Sequence, residues 1–182
     1  NTGAWGNYDA SRVAIWQDYS DHLRKVNPDV YIILEHFADV VEEIELAKRG
    51  MLLWGNMNHQ FNEATMGYPS NLTGLDYKKR NFPNAALIQY MESHDEERNM
   101  FKAKSYGNGA TVKSEAGRSY RTPLNTAFNV LLNGSHMMWM FQELAYDYSI
   151  FSNSTGATGE RVDPKPIPES LGWYTNTNRM NS

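Results

Sequence analysis

The chain has 182 residues, of which 41% are apolar and 21% charged, a composition that is typical of a folded globular domain and excludes an intrinsically disordered chain. Its formal net charge of −4 argues against a nucleic-acid-binding protein, which needs a basic surface. The absence of cysteine excludes disulfides and thiolate zinc sites, and no apolar run reaches the roughly 20 residues of a membrane span.

The first part of the chain predicts a helix followed by a strand. Asp9 or Ser11 is a candidate N-cap, and Asn27-Pro28 ends the helix. Residues 30–37 then form an apolar strand that ends with Glu35-His36. The predicted buried face of the helix consists of apolar residues at helical spacing: Val13, Ile15, Trp16, Tyr19, Leu23 and Val26.

A second helix and a second strand are predicted next. Asp39 is a candidate N-cap for a helix over residues 40–49, with Glu42 at the spacing of a capping box and Gly50 as its C-terminal stop. The simplest interpretation of Glu42, Glu43 and Glu45 is a solvated helix face. Residues 51–56 are predicted to form the second strand.

The second half of the chain starts with a segment, 57–83, that has helical potential but no clear period. Residues 85–91 then predict a buried strand, which runs into the ionisable stretch that ends at Arg98. A helix from about Arg118 or Pro123 to Leu132 precedes a predicted strand over 137–141. Its expected buried residues are Leu124, Phe128, Leu131 and Leu132.

This alternation of helices and strands predicts an α/β fold with parallel strands and right-handed crossovers. A closed eight-stranded barrel typically needs about 250 residues, so four strands amount to half of one. The sequence therefore predicts one partial domain over residues 1–182, truncated on its N-terminal side.

Carboxylates and imidazoles follow two of the predicted strands, as Glu35-His36 and His94-Asp95. Paired carboxylates at neighbouring strand ends suit glycoside hydrolysis, in which one acid protonates the leaving oxygen and another carboxylate attacks. Structural ion pairs and solvated loop residues remain alternatives. Metal binding by His36, Asp39, His94 and Asp95 is a further alternative, but these residues have no recognised ligand spacing.

Several segments together carry a family resemblance that covers nearly the whole chain. They are Gly6-Asn7-Tyr8-Asp9-Ala10, Ile33-Leu34-Glu35-His36-Phe37, Leu53-Trp54-Gly55-Asn56-Met57-Asn58, Tyr90 to Arg98, Phe141-Gln142-Glu143-Leu144-Ala145-Tyr146-Asp147, and Arg161-Val162-Asp163-Pro164-Lys165-Pro166. In this order they resemble the α-amylase family of glycoside hydrolases, family 13, of the bacterial secreted type.

The resemblance implies retaining hydrolysis of α-1,4-glucosidic bonds in starch-like glucans, on strands 5–8 of a TIM-type (β/α)8 barrel. Glu35 matches the general acid/base, and Asp95 matches the acid that orients the sugar hydroxyls. His94 matches the histidine that hydrogen-bonds the glucosyl unit. Arg98 matches an arginine common in that motif, for which a structural ion pair is the alternative. Further candidates for substrate binding are His36, Trp54, Tyr90, Tyr146 and Tyr148, with core packing as the alternative for Trp54 and for the tyrosines.

The sequence also departs from the family pattern. Ser93 stands where the family usually has Asn, and residues 133–136 differ from the usual turn before the last strand. The nucleophilic Asp, with an Arg two residues before it, has no match and would precede Asn1. The chain alone is therefore expected to be inactive, with the missing N-terminal half or a second copy as its partner.

Other expectations follow from the family. They include an α-glucan ligand, no membrane span, no nucleic-acid partner, and a secreted, periplasmic or cell-surface location. No cofactor is assigned, although calcium is common in the family. Two other hypotheses stay open: a fragment of a family transglycosidase, and a non-catalytic carbohydrate-binding remnant.

Overall fold

A four-stranded parallel sheet is the main β-structure of the computed structural model, which describes residues 6–181. Its strands are β1 (Ile33–Leu34), β2 (Leu52–Asn56), β3 (Leu87–Tyr90) and β4 (Ser135–Met137), and they lie side by side in chain order. β1 pairs with β2 through Ile33 opposite Leu52 and Leu34 opposite Leu53. The predicted α/β class is confirmed. Residues 1–5 and 182, the two ends of the predicted domain, lie outside the described residues.

The described chain divides into two compact units. Unit 1 contains the residues up to Gly55, Thr73–Gln89 and Asn133–His136, and it includes most of the sheet. Unit 2 contains Asn56–Leu72, Tyr90–Leu132 and the residues from Met137 onward.

Two helices of unit 1 begin where the capping signals predicted. α1 (Ala10–Val26) starts after Asp9, whose carboxylate accepts the N–H groups of Ser11 and Arg12. α2 (Val40–Lys48) starts after Asp39, which accepts the Val41 N–H at 2.8 Å. These side chains bind N–H groups that have no partner inside the helix. Gly50 follows α2 in the left-handed region, as expected for a helix stop.

The core of unit 1 is formed by the inner residues of the strands and of α2. β3 is buried along its whole length, whereas β2 alternates between buried and more accessible positions. A short 3-10 segment, Thr73–Leu75, also belongs to this unit. The buried apolar residues are Val13, Leu34, Leu46, Ala47, Met51, Leu53, Phe82, Ala86 and Leu87.

Two predictions for unit 1 were wrong in extent. The first strand pairs only over Ile33–Leu34, and not over residues 30–37. In α1 only Val13 of the predicted buried face is fully buried, while Ile15, Tyr19, Leu23 and Val26 are exposed. The predicted face spanned almost half of the helix circumference, which is more than the neighbouring elements of unit 1 cover.

Two of the three acids of α2, Glu42 and Glu43, were wrongly predicted to be solvated, whereas Glu45 is partly exposed. The Glu42 carboxylate is fully buried and accepts hydrogen bonds from Arg12 Nε at 2.6 Å and from the Asp9 N–H at 2.9 Å, and lies 2.7 Å from His36 Nε2. Burial alone would raise the pKa of Glu42, but these hydrogen bonds outweigh it and hold the pKa below its usual value. Because Glu42 is used in this way, it does not complete a capping box with Asp39.

Glu43 is buried beside Glu42 and has a weaker partner, Arg80, whose Nη2 lies 3.5 Å away. Burial raises the pKa of Glu43 to about 7. A carboxyl whose pKa is raised by folding stabilises the native state fully below its unfolded pKa, and this stabilisation is lost as the pH rises through about 7.

We therefore expect the free energy of unfolding of the parent chain to fall between pH 5 and pH 8. In Glu43→Gln this contribution to the fall should be absent. Denaturant unfolding of both proteins across this range measures the effect, with Glu63→Gln in unit 2 as the control. Identical pH profiles of Glu43→Gln and the parent chain would contradict the assignment.

Unit 2 is mostly helical. Its helices are α3 (Asn58–Met66), α4 (Asn99–Tyr106), α5 (Ala110–Lys113), α6 (Glu115–Ser119), α7 (Thr122–Val130) and α8 (Thr177–Met180), with 3-10 segments at Gln142–Leu144 and Trp173–Thr175. α3 and the short 3-10 segment Thr73–Leu75 of unit 1 both fall in the stretch 57–83, for which the sequence showed no clear period.

The predicted helix before the last strand exists as α7, but its buried face is polar. Thr122, Asn125 and Asn129 are buried, and Asn125 Nδ2 donates to Thr65 Oγ1. The predicted core residues Leu124, Phe128, Leu131 and Leu132 are exposed. The last strand was also misplaced, since β4 ends at Met137 and the chain turns at Phe141, which has a positive φ.

Candidate functional site

Unit 2 contains a cavity of about 430 Å³, a volume within the usual range of small-molecule sites. Three segments surround it: the turn after β3, residues 139–150, and residues 161–167. The residues that line it include Ser93, His94, Arg98, Trp139, Phe141, Tyr146, Tyr148, Arg161, Asp163 and Lys165.

A buried ion pair supports one wall of the cavity. Arg98 Nε lies 3.0 Å from Glu92 Oε2, and both side chains are almost fully buried. Arg98 also donates to the Met140 carbonyl at 2.7 Å, and Glu92 accepts the Asn99 N–H at 2.7 Å. Burial raises the pKa of Glu92 more than the nearby Arg98 lowers it.

An aromatic cluster adjoins this pair. The guanidinium of Arg98 lies 4.6 Å from the centre of the Tyr146 ring, which stacks on Phe141 at 6.0 Å. Tyr148 and Trp173 also pack against Tyr146. The Tyr146 hydroxyl donates to the Pro166 carbonyl at 2.7 Å, and burial raises its pKa to about 12. Tyr146 is therefore a neutral donor that holds two cavity segments together.

His94 lines the cavity and lies beside Asp95, and both side chains are about half exposed. His94 Nε2 is 3.5 Å from Asp95 Oδ1, and the same carboxylate forms an ion pair with Arg161. The His94 ring lies 6.1 Å from the ring of Trp139. Two predicted site residues are thus joined here by an arginine and a tryptophan that the sequence did not single out.

The loop that carries Arg161 is held by internal hydrogen bonds. Lys165 Nζ donates to the carbonyls of Ser152, Glu160 and Arg161 at 2.7, 3.0 and 3.1 Å. Asp163 accepts the Glu160 N–H at 2.8 Å. These contacts satisfy the lysine charge with carbonyl oxygens and fix the backbone beside Arg161.

A second buried charge cluster holds the chain next to Tyr146 and Tyr148. Asp147 Oδ2 lies 2.6 Å from Arg118 Nη2, 3.1 Å from Arg179 Nη2 and 3.5 Å from Lys104 Nζ. Arg179 also donates to the Ala145 carbonyl and stacks on Trp173 at 3.6 Å. The cluster therefore ties the C-terminal residues to the aromatic wall.

The other predicted site residues belong to the strands, to the residues that follow them, or to the cap of α2. Glu35 directly follows β1 and is exposed, His36 is buried against Glu42, and Trp54 is half-buried in β2; all three belong to unit 1. Tyr90 ends β3 and is fully buried, with its hydroxyl 3.4 Å from Glu96 Oε1. Asp39, a member of the hypothetical metal site, is used as the cap of α2.

Sequence reasoning missed Glu92, Trp139 and Arg161 as parts of the site. Glu92 gave a usable signal, since it is the first acid after an apolar strand and stands six residues before Arg98. Trp139 was hidden in an apolar run that resembled a strand. Arg161 lies in a proline-rich segment that was noted only for its resemblance.

Comparison of the chain with models of known protein families gave no match, and a search of curated proteins found no relative. No helix among residues 6–181 is both long and apolar enough to cross a membrane.

Proposed function

We propose that the chain supplies about strands 5–8 of the (β/α)8 barrel of a retaining glycosidase that acts on starch-like α-1,4-glucans outside the cytoplasm. The observation that carries the proposal is the unit 2 cavity, which is lined by aromatic rings and by hydrogen-bonding side chains that include His94 and Arg161, the two partners of Asp95. The parallel sheet with strands in chain order is compatible with half of such a barrel.

The chemistry of the walls favours a neutral, hydroxyl-rich ligand. Trp139, Phe141 and Tyr148 offer flat apolar surfaces to the C–H faces of a sugar ring, and His94 and Arg161 offer polar groups to its hydroxyls. Each arginine of the lining has a carboxylate partner, Glu92 for Arg98 and Asp95 for Arg161. Since these charges are balanced within the protein, the cavity favours a sugar over an anion.

The proposed roles follow the family resemblance. Glu35 gives a proton to the leaving glycosidic oxygen and later takes one from the attacking water, as a retaining mechanism requires. Asp95, oriented by Arg161, binds the sugar hydroxyls. The nucleophile is assigned to no residue of this sequence, so the chain alone is proposed to bind glucans without hydrolysing them.

Glucan binding is tested by titrating the chain with maltoheptaose in a calorimeter. We expect Trp139→Ala to weaken the affinity about tenfold or more, since stacking surface in the cavity is lost. Tyr120→Ala removes a ring that is 85% exposed and outside the cavity, and it should leave the affinity unchanged. Absence of binding by the parent chain would reject the carbohydrate site.

Turnover is tested with a chromogenic maltooligosaccharide, for the chain alone and for the chain combined with the N-terminal half of a family 13 barrel. Turnover is expected only in the combination, and Glu35→Gln should lower it by about 10²–10⁴-fold. Binding without turnover in any combination would favour the non-catalytic carbohydrate-binding hypothesis. Full activity of Glu35→Gln would show that another group is the acid/base.

A further inference from the structure

α1 carries an exposed apolar stripe that runs from Ile15 to its last residue, Val26. Ile15, Tyr19, Leu23 and Val26 are 40%, 61%, 46% and 82% exposed. At about 100° per residue these four positions lie within roughly 80° of the helix circumference, so they form one continuous surface. An unpartnered stripe of this kind on a helix marks an interaction surface.

The stripe lies on the side of α1 that faces away from α2. Arg24 of α1 donates to the carbonyls of Arg49 and Gly50 at the end of α2, at 2.9 and 2.8 Å, and Gln17 accepts from Arg49 at 3.1 Å. Gln17 and Arg24 lie about 180–200° around the helix from Ile15. The contacts with the α2 end therefore leave the stripe uncovered.

Charged and titratable residues lie along one side of the stripe, and the sign of the charge changes along the helix. Asp18, His22 and Lys25 are exposed and lie within about 60–80° of each other, with the acid in the N-terminal half of the helix and the lysine in the C-terminal half. A helix with this distribution is electrostatically complementary to an antiparallel copy of itself.

We propose that the stripe binds the same stripe of a second copy of this chain, with the two α1 helices antiparallel. A two-fold axis near Asp21 places Ile15 opposite Val26 of the second copy and Tyr19 opposite Leu23. The same axis places Asp18 opposite Lys25 twice. A parallel arrangement would place the two charged flanks on opposite sides of the contact, so Asp18 and Lys25 would lose these charge pairs. The contact is isologous, the commonest form of homodimer interface.

The proposal does not rest on the glycosidase hypothesis, because no residue of α1 takes part in the unit 2 cavity. Four apolar side chains from each copy make a small interface, so the dimer is of the weak class. We expect the average mass in sedimentation equilibrium to rise from monomer toward dimer as the concentration increases from the micromolar to the submillimolar range.

The apolar part of the interface is tested with Leu23→Glu/Val26→Glu. We expect this double variant to stay monomeric at all concentrations, with an unchanged circular dichroism spectrum because both positions are exposed. Val162→Glu alters an apolar residue of unit 2 that is 91% exposed, and it should dimerise like the parent chain. A parent chain that stays monomeric, or a double variant that dimerises normally, would overturn the proposal.

The antiparallel orientation is tested by exchanging the charges. Asp18→Lys and Lys25→Asp should each raise the dimer dissociation constant about tenfold or more, because each places like charges opposite each other twice. A mixture of the two variants should form heterodimers, and Asp18→Lys/Lys25→Asp should recover the parent behaviour. Failure of both the mixture and the double exchange to associate would overturn the antiparallel pairing.

Discussion

Replacing Arg98 by methionine is expected to lower the free energy of unfolding by about 3–5 kcal/mol, because it leaves the Glu92 carboxylate buried without its cation. Arg98 also donates to the Met140 carbonyl and stacks on Tyr146, so the cavity wall is expected to loosen as well. Denaturant unfolding measures the stability, and maltoheptaose titration measures the effect on the proposed ligand site.

The Arg98→Met defect should depend on pH in a defined direction. Burial raises the pKa of Glu92 and Arg98 lowers it, so the loss of Arg98 raises the native-state pKa of Glu92 further. The stabilisation that such a group contributes is fully present below its pKa in the unfolded state. It is lost as the pH rises through its pKa in the folded state. The variant should therefore be closest to the parent at pH 5 and furthest from it at pH 8.

The control for this prediction is the double variant Glu92→Gln/Arg98→Met, in which no charge remains buried at the pair. We expect it to recover most of the lost stability and to lose the pH dependence, because replacing both members of a buried pair costs far less than removing one. A single variant that loses less than about 1 kcal/mol would show that the pair is not effectively desolvated.

The second large effect is expected for Asp147→Ala, which removes the carboxylate shared by Arg118 and Arg179. Both guanidinium groups are nearly fully buried, so the variant leaves two cations without an acid at this position. We expect a loss of about 3–5 kcal/mol in the free energy of unfolding. The C-terminal residues should also become more accessible to protease, since Arg179 ties them to this cluster.

Lys104→Met is the matched control, because Lys104 contacts the same oxygen at 3.5 Å but has a side chain that is half exposed. Solvent screens such a pair, and its loss should cost no more than about 1 kcal/mol. Equal effects of Asp147→Ala and Lys104→Met would show that burial of the two arginines does not determine the energetics of the cluster.

The elements that the sequence predicted well are those with local signals. Asp39 before α2 is a capping residue that acts within its own turn, so its role follows from the adjacent residues. The strand β3 follows from an uninterrupted apolar run. Glu35 could likewise be placed after a strand, although that strand proved shorter than predicted.

The failures concern burial, which depends on residues distant in the sequence. The sequence predicts a solvated Glu42 carboxylate on its helix. In the structure the carboxylate is buried, and Arg12 and His36 compensate its charge there. Leu124 and Leu131 read as core, but the polar face of α7 is the one that is covered. Apolar periodicity identifies an amphipathic helix, but it does not show which face of the helix packs against another element.

The chain order of unit 1 has a consequence for synthesis on the ribosome. Its segments are separated by two stretches of unit 2, and its last piece is Asn133–His136. A nascent chain that has not yet released residue 137 lacks β4, and β3 then presents an unpaired edge. Translation therefore holds this sheet incomplete until residue 137 has emerged, and chaperone binding up to that point would protect the sheet from aggregation.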